Sequence, residues 1–468
     1  MNKLLPPRII ALALLIFSFT PHGSAAEPPR QDITGVAWEH FNAGRYEAGL
    51  GVIDKALTEL DPKAREEAAT MRGYDAKGRE WDHGAVNIAG TLWLIRGRIL
   101  ENQGKTSEAI AAFHEVVARY PYAQAWDPAG WFWQPGKDAH RRVYKSQLYA
   151  AISSGKLDGS FFPDNDNALD SLVQRGATQE VAAELLGKEA FRELETFAES
   201  ARRHRIRLSN GEWMLRSFYV GIDTPLAALK NEEDWEKWRA CLARWRKATD
   251  SSVTSRIAEA SMAIKHAWHA RGSGYAHTVK PEAWELFGRS IDQAEKLLAA
   301  TRRECPEWYH QRLIVSMAQS SERAAYDELF HEGWKAFPGY TPLVEAKTYY
   351  LLPRWHGAPG DWQRFAAEFA HEHGAQYYPI AVHYAGRFEK DEAFAQIDRE
   401  LLRRGWEERI KERPHSLALR HEYARTLVRL NDPHAPEWLA KLRDTYHAET
   451  WSSYSRIEEE RARVLSKP

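Results

Sequence analysis

The segment WLIRGRILENQGKTSEAIAAFHEVVARYP, from Trp93 to Pro121, decides the fold class. Its apolar residues recur every three or four positions, the spacing that places them on one stripe of an α-helix. A turn signal at Gly104 divides the segment into two helices, and Pro121 ends the second. Because each helix is apolar on one stripe only, the pair must stack on neighbours to bury it. The segment therefore predicts an all-α array of stacked helical hairpins.

The same segment follows the tetratricopeptide-repeat (TPR) pattern of large, small and apolar positions. The matching residues are Trp93, Gly97, Leu100, Gly104, Ala109, Phe113, Val116 and Pro121. A weaker copy precedes it from Ala37 to Pro62, with Pro62 in the position that ends the unit. We therefore predict TPR-like hairpins, an α-solenoid with little or no β-sheet.

Large apolar residues also lie eight positions before four prolines that are predicted to end helices. Eight residues are just over two helical turns, so each large side chain is expected on the inner face of a helix that the proline stops. The pairs are Phe113 with Pro121, Leu298 with Pro306, Phe330 with Pro338, and Trp406 with Pro414.

Residues 251–302 predict one further hairpin. Ser251 or Ser252 caps its first helix, which the Gly272–Gly274 turn ends. Pro281 begins its second helix. The inward residues of this second helix are predicted to be Trp284, Phe287, Ile291 and Leu298.

The first 26 residues predict a secretory signal peptide. Lys3 and Arg8 precede the apolar run from Ile9 to Phe19, and cleavage is expected after Ala26. The run is shorter than the roughly 20 residues of a membrane span, and no later segment qualifies as one. We expect a periplasmic or secreted protein without a transmembrane segment after cleavage.

Two helical domains are predicted in the mature chain, an N-terminal TPR-like one at 27–155 and a divergent helical-repeat one at 156–468. The mature part has 62 Lys plus Arg against 65 Asp plus Glu, so its charge does not favour nucleic acid as a partner. Cys241 and Cys305 are the only cysteines, and a bridge between them stays open at this stage.

Three separated stretches resemble the signature stretches of an uncharacterised bacterial family, a domain of unknown function in exported, TPR-containing proteins. They are ARGSGYAHTVKPEAWELF (270–287), CPEWY (305–309) and YYLLPRWHGAPGDWQRFA (349–366), in the order expected for that family. The resemblance covers roughly residues 210 to 400. It implies a helical, TPR-like domain, and it carries over no catalytic residues because none is assigned in the family.

Motifs for chemistry are lacking in the sequence. It contains no nucleophile elbow, Walker loop, dinucleotide fingerprint or His-Glu-x-x-His motif. His266 and His269 are spaced for one helix face, but a His-x-x-His pair alone is weak evidence for zinc. We therefore predict no catalytic residues, no metal site and no cofactor.

Two clusters are better candidates for binding. The first comprises Trp268, Arg271 and Tyr275 at a helix end, and the second Arg354, Trp355 and His356 after Pro353. Arg beside Trp or Tyr is typical of contact hot spots. The alternative is that these tryptophans only fill gaps between hairpins and the arginines cap helix carbonyls.

Two classes of function remain open. The first is an exported scaffold that binds a protein, a peptide or an envelope component through a groove. The second is a cell-envelope enzyme, for example a peptidoglycan-acting hydrolase, with its site in the groove. A Glu or Asp against His in a deep pocket near Arg271 or Arg354 would favour the enzyme.

Overall fold

The computed structural model describes residues 33–70, 84–126, 132–159, 161, 170–223, 229, 231–250, 252–272, 278–389, 394, 396–442, 445, 447–451 and 454–465. Within these ranges the regular structure is almost entirely helical, and the predicted all-α class is confirmed.

The helices of the first half of the chain are α1 (Ile33–Asn42), α2 (Tyr46–Thr70), α3 (Ala85–Asn102), α4 (Thr106–Arg119), α5 (Pro135–Ser153), α6 (Ser171–Gly187), α7 (Phe191–Arg203), α8 (Met214–Ile222) and α9 (Glu232–Ala248). Those of the second half are α10 (Val253–Arg271), α11 (Pro281–Ala299), α12 (Pro306–Ala318), α13 (Arg323–Ala336), α14 (Pro342–Tyr350), α15 (Asp361–His373), α16 (Tyr378–Ala385), α17 (Arg399–Glu412), α18 (Leu417–Arg429), α19 (Ala435–Leu442), α20 (Ala448–Trp451) and α21 (Tyr454–Leu465). A 3-10 turn (Ala375–Tyr377) precedes α16, and two-residue strands β1 (Ala125–Trp126) and β2 (Phe132–Trp133) pair antiparallel.

The hairpin that decides the fold class forms α3 and α4. Gly97 lies where α4 crosses α3, and a Cβ atom there would be 2.4 Å from Cε1 of Phe113. The small residue of the pattern is therefore required by close packing between the two helices. Trp93 and Tyr120 donate hydrogen bonds to Oδ1 of Asp61 at 3.0 and 2.7 Å, so they join this hairpin to α2.

The predicted helix end at Pro62 is wrong, because α2 continues through it to Thr70. Proline removes one backbone hydrogen bond inside a helix. Contacts after Pro62 hold the helical turn in place. Ala64 is fully buried, and Oε2 of Glu67 accepts a hydrogen bond from the backbone N–H of Val86 at the start of α3.

The eight-residue spacing before the prolines correctly predicted that the four large apolar residues are buried. Phe113, Leu298, Phe330 and Trp406 are each no more than 2% exposed. Pro121, Pro338 and Pro414 follow the ends of α4, α13 and α17. Pro306 differs, since it is the first residue of α12 and not the stop of α11. Proline is favourable there because the first helical N–H has no partner in the helix.

The hairpin predicted at 251–302 is confirmed as α10 and α11. Ser252 caps α10 by accepting a hydrogen bond from the N–H of Ser255, and Gly272 ends the helix with φ of 70°. Phe287, Ile291 and Leu298 face inward as predicted. Trp284 does not, since it is 39% exposed. It lies in the first turn of α11 and covers the guanidinium of Arg271 instead of the core.

Two hydrophobic cores meet along α5. The smaller one runs from Ala37 to Val143 and the larger one from Tyr144 to Ile457. Helix α5 ends at Ser153, two residues before Gly155, where the domain boundary was predicted from the sequence.

The larger core closes on itself, because its last helices contact its first. Arg409 of α17 and Arg413, which directly follows this helix, donate to the carbonyls of Asn210 and Leu208 at 3.4 and 3.2 Å. Arg175 of α6 pairs with Glu449 of α20. Contacts between residues more than 190 positions apart in sequence therefore hold the beginning and the end of the larger core together.

Both cysteines are free thiols in the structure. Cys305 is fully buried 3.9 Å from the hydroxyl of Tyr219, whereas Cys241 lies 3.9 Å from the carbonyl of Leu186. Among the helices that the structure describes, none combines the length and the apolar character needed to cross a membrane.

Candidate functional site

Aromatic rings and one arginine from four elements form the candidate site, which we call the aromatic–arginine surface. It consists of Trp268 and Arg271 of α10, Trp284 of α11, Trp355 of the turn after α14, and Tyr349 of α14. The guanidinium carbon of Arg271 lies 5.8 Å from the ring centroids of all three tryptophans. Trp268 and Trp355 meet edge to face at 5.5 Å. Cation–π attraction and ring packing therefore hold the surface together.

The turn between α14 and α15 fixes Trp355 in this surface. The backbone N–H groups of Trp355 and His356 donate to the carbonyls of Leu352 and Tyr350 at 2.9 and 3.1 Å. A Cβ atom on Gly357 would lie 1.8 Å from the carbonyl oxygen of Leu351. Only glycine fits there, so the tight turn that presents Trp355 depends on this residue.

The aromatic contacts continue beyond Trp355 toward α16. The ring of Tyr349 lies 5.5 Å from that of Trp355, 4.9 Å from Phe388 and 6.3 Å from Tyr384. Arg387 lies over the ring of Tyr384 at 5.6 Å. The surface thus reaches from the end of α10 to the end of α16.

The sequence placed its candidate residues in two separate clusters, and the structure brings members of both together. Trp268, Arg271 and Trp355 touch one another, and the side chain of Arg354 is exposed beside Trp355. His356 instead stacks on Tyr350 at 4.7 Å, and its Nε2 lies 3.1 Å from the carbonyl of Met317. Those contacts give His356 a packing role behind the surface.

Tyr275 lies outside the described residues. Sequence reasoning did not assign Trp284, Tyr349 or Arg387 to the site. Trp284 could have been found, since it is the fourth residue of a helix whose start at Pro281 was predicted and it falls near the end of α10. Tyr349 and Arg387 come from helices that only the tertiary fold brings to Trp355, so no local signal marked them.

A buried network of charged and polar groups lies at the start of α12. Glu307 is 0% exposed, and its Oε1 accepts hydrogen bonds from Arg216 at 3.1 Å, His310 at 2.9 Å and Gln311 at 2.7 Å. The hydroxyl of Tyr340 donates to Oε2. Both carboxylate oxygens are therefore engaged by four side chains that we call the Glu307 network.

Protonation in this network follows from its hydrogen bonds. Burial acts to raise the pKa of Glu307, but the attraction of His310 and Arg216 and the hydrogen bonds from His310 and Tyr340 lower it to about 2. Burial also lowers the pKa of His310, against the opposing effect of Glu307. Glu307 is thus ionised near neutral pH, and His310 donates to it through Nδ1.

A second buried acid lies next to this network. Asp223 accepts hydrogen bonds from Ser261 at 3.2 and 3.3 Å, and its Oδ2 lies 3.3 Å from Nζ of Lys265. Burial raises the pKa of Asp223, while the charges of Lys265 and Arg216 act to lower it.

The charged groups and the aromatic–arginine surface adjoin along two helices. On α10, Ser261, Lys265 and Trp268 are spaced four and three residues apart, so they share one helix face. The rise from Lys265 to Trp268 is only about 4.5 Å. On α14, Glu345 precedes Tyr349 by one turn in the same way. Burial raises the pKa of Glu345, which is half-buried and lies near Arg216. Aromatic and charged groups therefore form neighbouring parts of one region.

A shallow open depression of about 550 Å³ lies elsewhere, between the start of α7 and the end of α9. Glu195 lines it, but this carboxylate already accepts hydrogen bonds from Nε1 of Trp245 at 2.9 Å and from the hydroxyl of Ser252 at 2.5 Å. The aromatic–arginine surface carries the more specific arrangement of side chains.

The histidine pair on α10 has partners within the protein. The Nε2 of His266 lies 3.1 Å from Glu232, and its Nδ1 lies 3.3 Å from Ser290. The rings of His266 and His269 pack on Trp235 at 4.7 and 5.3 Å. Over the part of the chain that the structure describes, no three His, Cys, Asp or Glu side chains are grouped as metal ligands would be.

The resemblance to the uncharacterised exported family rests on the three sequence stretches alone. It stays a prediction, because no protein-family model and no curated protein matches this chain.

Proposed function

We propose that this chain is an exported helical scaffold that binds an acidic segment of a protein or peptide partner on its aromatic–arginine surface. The observation that carries the proposal is the single arginine, Arg271, placed over three tryptophans from three different elements. Trp and Arg are the residues most enriched in binding hot spots, since they supply large contact area and directional donors.

Exposure supports binding over simple packing. A tryptophan that only fills a gap between hairpins is buried, as Trp213 and Trp245 are at 1% and 0% exposed. Trp284 is 39% exposed, and among the described residues it is the one large apolar side chain that is exposed. Trp268, Trp355 and Tyr349 beside it are half-buried. A ring that is held in place by its neighbours but still open to solvent loses little entropy when a partner covers it.

Charge supports an acidic partner. Arg354 and Arg387 are exposed next to the aromatic rings, and neither has an ion pair or side-chain hydrogen bond to another described residue. Most arginines among the described residues are paired with Glu or Asp, as in Arg303 with Glu332 at 2.9 Å. Arginines beside aromatic rings suit carboxylates, which they bind through two parallel N–H groups.

The Glu307 network gives no support to the hydrolase alternative, although it does pair a buried acid with histidine. A general acid or base must exchange a proton with its substrate. Glu307 has four hydrogen-bond donors on its two oxygens and a pKa of about 2, so it is held ionised and inaccessible. The network stabilises the junction of α8, α12 and the segment before α14.

Photo-crosslinking tests the proposed surface. A photoreactive phenylalanine analogue replaces Trp284, and the protein is irradiated in the cells that produce it. We expect a covalent adduct with a polypeptide that carries an acidic segment. The double variant Arg354→Glu, Arg387→Glu should lower the adduct yield about tenfold or more, because charge reversal repels an acidic partner and a hot spot contributes at least about 2 kcal/mol.

A matched control places the same analogue at Arg302, which is 81% exposed and belongs to the loop between α11 and α12. Equal adduct yields at positions 284 and 302 would contradict the proposal. So would an adduct whose yield is unchanged by the double charge reversal, or one formed with nucleic acid.

A further inference from the structure

His421 of α18 has both ring nitrogens engaged in the larger core, with 0% of the residue exposed. Its Nδ1 accepts a hydrogen bond from Nε1 of Trp451 at 2.9 Å. An indole N–H can only donate, so Nδ1 carries no proton. Nε2 lies 3.0 Å from Oγ1 of Thr445, and that hydroxyl donates in turn to the carbonyl of Leu442. The ring is therefore the neutral tautomer with its proton on Nε2, and each donor in this series of hydrogen bonds has one acceptor.

A second proton on His421 has no acceptor in this arrangement. It would sit on Nδ1 and point at the indole N–H of Trp451, so two donors would face each other across 2.9 Å. A buried donor without an acceptor costs about 1–3 kcal/mol, and more when it is charged. Protonation is therefore incompatible with the observed contact and requires Trp451 to move away.

The segment that carries Trp451 joins the two ends of the larger core. Nε2 of His447 lies 3.5 Å from Oδ1 of Asp170, the N-cap residue of α6. Glu449 pairs with Arg175 of α6, and the carbonyl of Thr450 accepts from Arg425 of α18. If Trp451 leaves His421, this segment keeps the hydrogen bond from Arg425 but loses its contact with His421, so its attachment to α18 is weakened beside the point where it holds α6.

Charged groups from four elements face His421. His447 stacks near it at 6.2 Å, and Lys137 of α5, Arg461 of α21 and Asp170 lie in its electrostatic surroundings. Burial lowers the pKa of His421 well below 6.5, and His447, Arg461 and Lys137 lower it further, while Asp170 acts to raise it. The positive charge of Lys137 on Asp170 at 2.9 Å weakens that opposing effect.

We propose that His421 is an acid-sensitive latch, whose protonation releases the segment around Trp451 and loosens the connection that this segment makes between α18 and α6. The direction of the pH effect follows from the linkage between proton binding by His421 and opening of the latch. The unfolded or released His421 binds a proton more readily than the latched one, so the contribution of the latch is complete above about pH 6.5 and is lost as the pH falls below it. The opening equilibrium shifts by up to about tenfold per pH unit for one proton.

Asp170 does not produce the same effect in this window. Burial acts to raise the pKa of Asp170, but Lys137 and His447 lower it, so this carboxylate stays ionised well below the window. His447 faces this carboxylate at 3.5 Å and holds the segment on α6.

Hydrogen exchange measured by mass spectrometry tests the latch on the full chain. Protection factors for the peptide that spans 447–451 are compared at pH 7.5 and pH 5.5, after correction for intrinsic exchange, with α10 as the internal reference. We expect protection at 447–451 to fall about tenfold at pH 5.5 relative to α10.

Two variants make the test specific. His421→Asn keeps an oxygen that accepts from Trp451 but cannot be protonated, so the loss of protection at pH 5.5 should disappear. Trp451→Phe removes the indole donor, so protection at 447–450 should already be low at pH 7.5 and change little on acidification. A wild-type segment that stays protected at pH 5.5 would overturn the proposal, as would a His421→Asn variant with the same acid response as the wild type.

Discussion

Replacing Glu307 by glutamine is expected to lower the free energy of unfolding by about 3 kcal/mol. Glutamine keeps the size of the side chain but removes the charge that Arg216 and His310 contact. Breaking a buried ion pair by removing one partner costs about 3–5 kcal/mol, because the other charge stays without compensation. The low end applies here, since the Arg216 side chain is 27% exposed and water can partly solvate it. Urea denaturation followed by circular dichroism measures the change.

Two further variants separate this effect from a general loss of charge. Glu285→Gln removes a carboxylate of the same type from an exposed pair with Arg289, and it should cost less than about 0.5 kcal/mol. The double variant Glu307→Gln, Arg216→Met should recover part of the loss, because it leaves no unpaired charge in the core. If Glu307→Gln and Glu285→Gln had equal stabilities, the Glu307 network would not be a stabilising element.

The stability deficit of Glu307→Gln is also expected to depend on pH. Because the folded pKa of Glu307 is about 2 and the ordinary value is 4.5, the unfolded chain takes up this proton first as the pH falls. The contribution of Glu307 is therefore complete above about pH 4.5 and is lost as the pH falls toward 2. Wild-type and variant stabilities should converge over that range. A deficit of constant size between neutral pH and pH 3 would contradict the lowered pKa.

Replacing Gly221 by alanine is expected to destabilise the protein by about 3 kcal/mol. Gly221 lies on α8 where it crosses α6, and a Cβ atom would sit 2.4 Å from the carbonyl oxygen and 2.7 Å from Cα of Gln179. Backbone atoms cannot rotate away as the end of a side chain can, so the two helices must separate. The small gain in helix propensity, about 1 kcal/mol, does not offset that separation. Thermal unfolding measures the loss.

Gly288 provides the matched control on α11. A Cβ atom there meets nothing within 4 Å, so alanine relieves only the conformational cost of glycine in a helix. Gly288→Ala should therefore stabilise by about 0.5–1 kcal/mol. The two substitutions are chemically identical and should have opposite signs. If both stabilised the protein, the close approach of α8 and α6 would be wrong.

Periodic apolar spacing predicted the helices well where local signals agreed. The α3–α4 hairpin turns at Gly104 and buries Phe113, and the α10–α11 hairpin has the Ser252 cap and the Gly272 end that its sequence indicates. The prediction was wrong at Pro62, where burial of Ala64 and the contact of Glu67 with α3 keep the helix intact. Local propensity is a small term, and packing partners far along the chain can outweigh it.

The candidate site was predicted only in part, for the same reason. Trp268, Arg271, Arg354 and Trp355 were selected by composition at helix ends, yet nothing local shows that Trp268 and Trp355, 87 residues apart in sequence, place their rings 5.5 Å from each other. His356 was assigned to binding because it follows Trp355, but the tight turn at Gly357 directs it onto Tyr350. Binding of a partner at this surface stays a proposal.

The sequence by itself determined the all-α class, because apolar spacing, caps and glycine or proline punctuation act within a few residues of chain. The tertiary structure decided which helix faces meet. It alone joined α10, α11 and the α14–α15 turn into the aromatic–arginine surface, and it alone placed Glu307 among Arg216, His310 and Tyr340. Such contacts depend on how all the helices of the larger core pack against one another, and no single stretch of sequence encodes that packing.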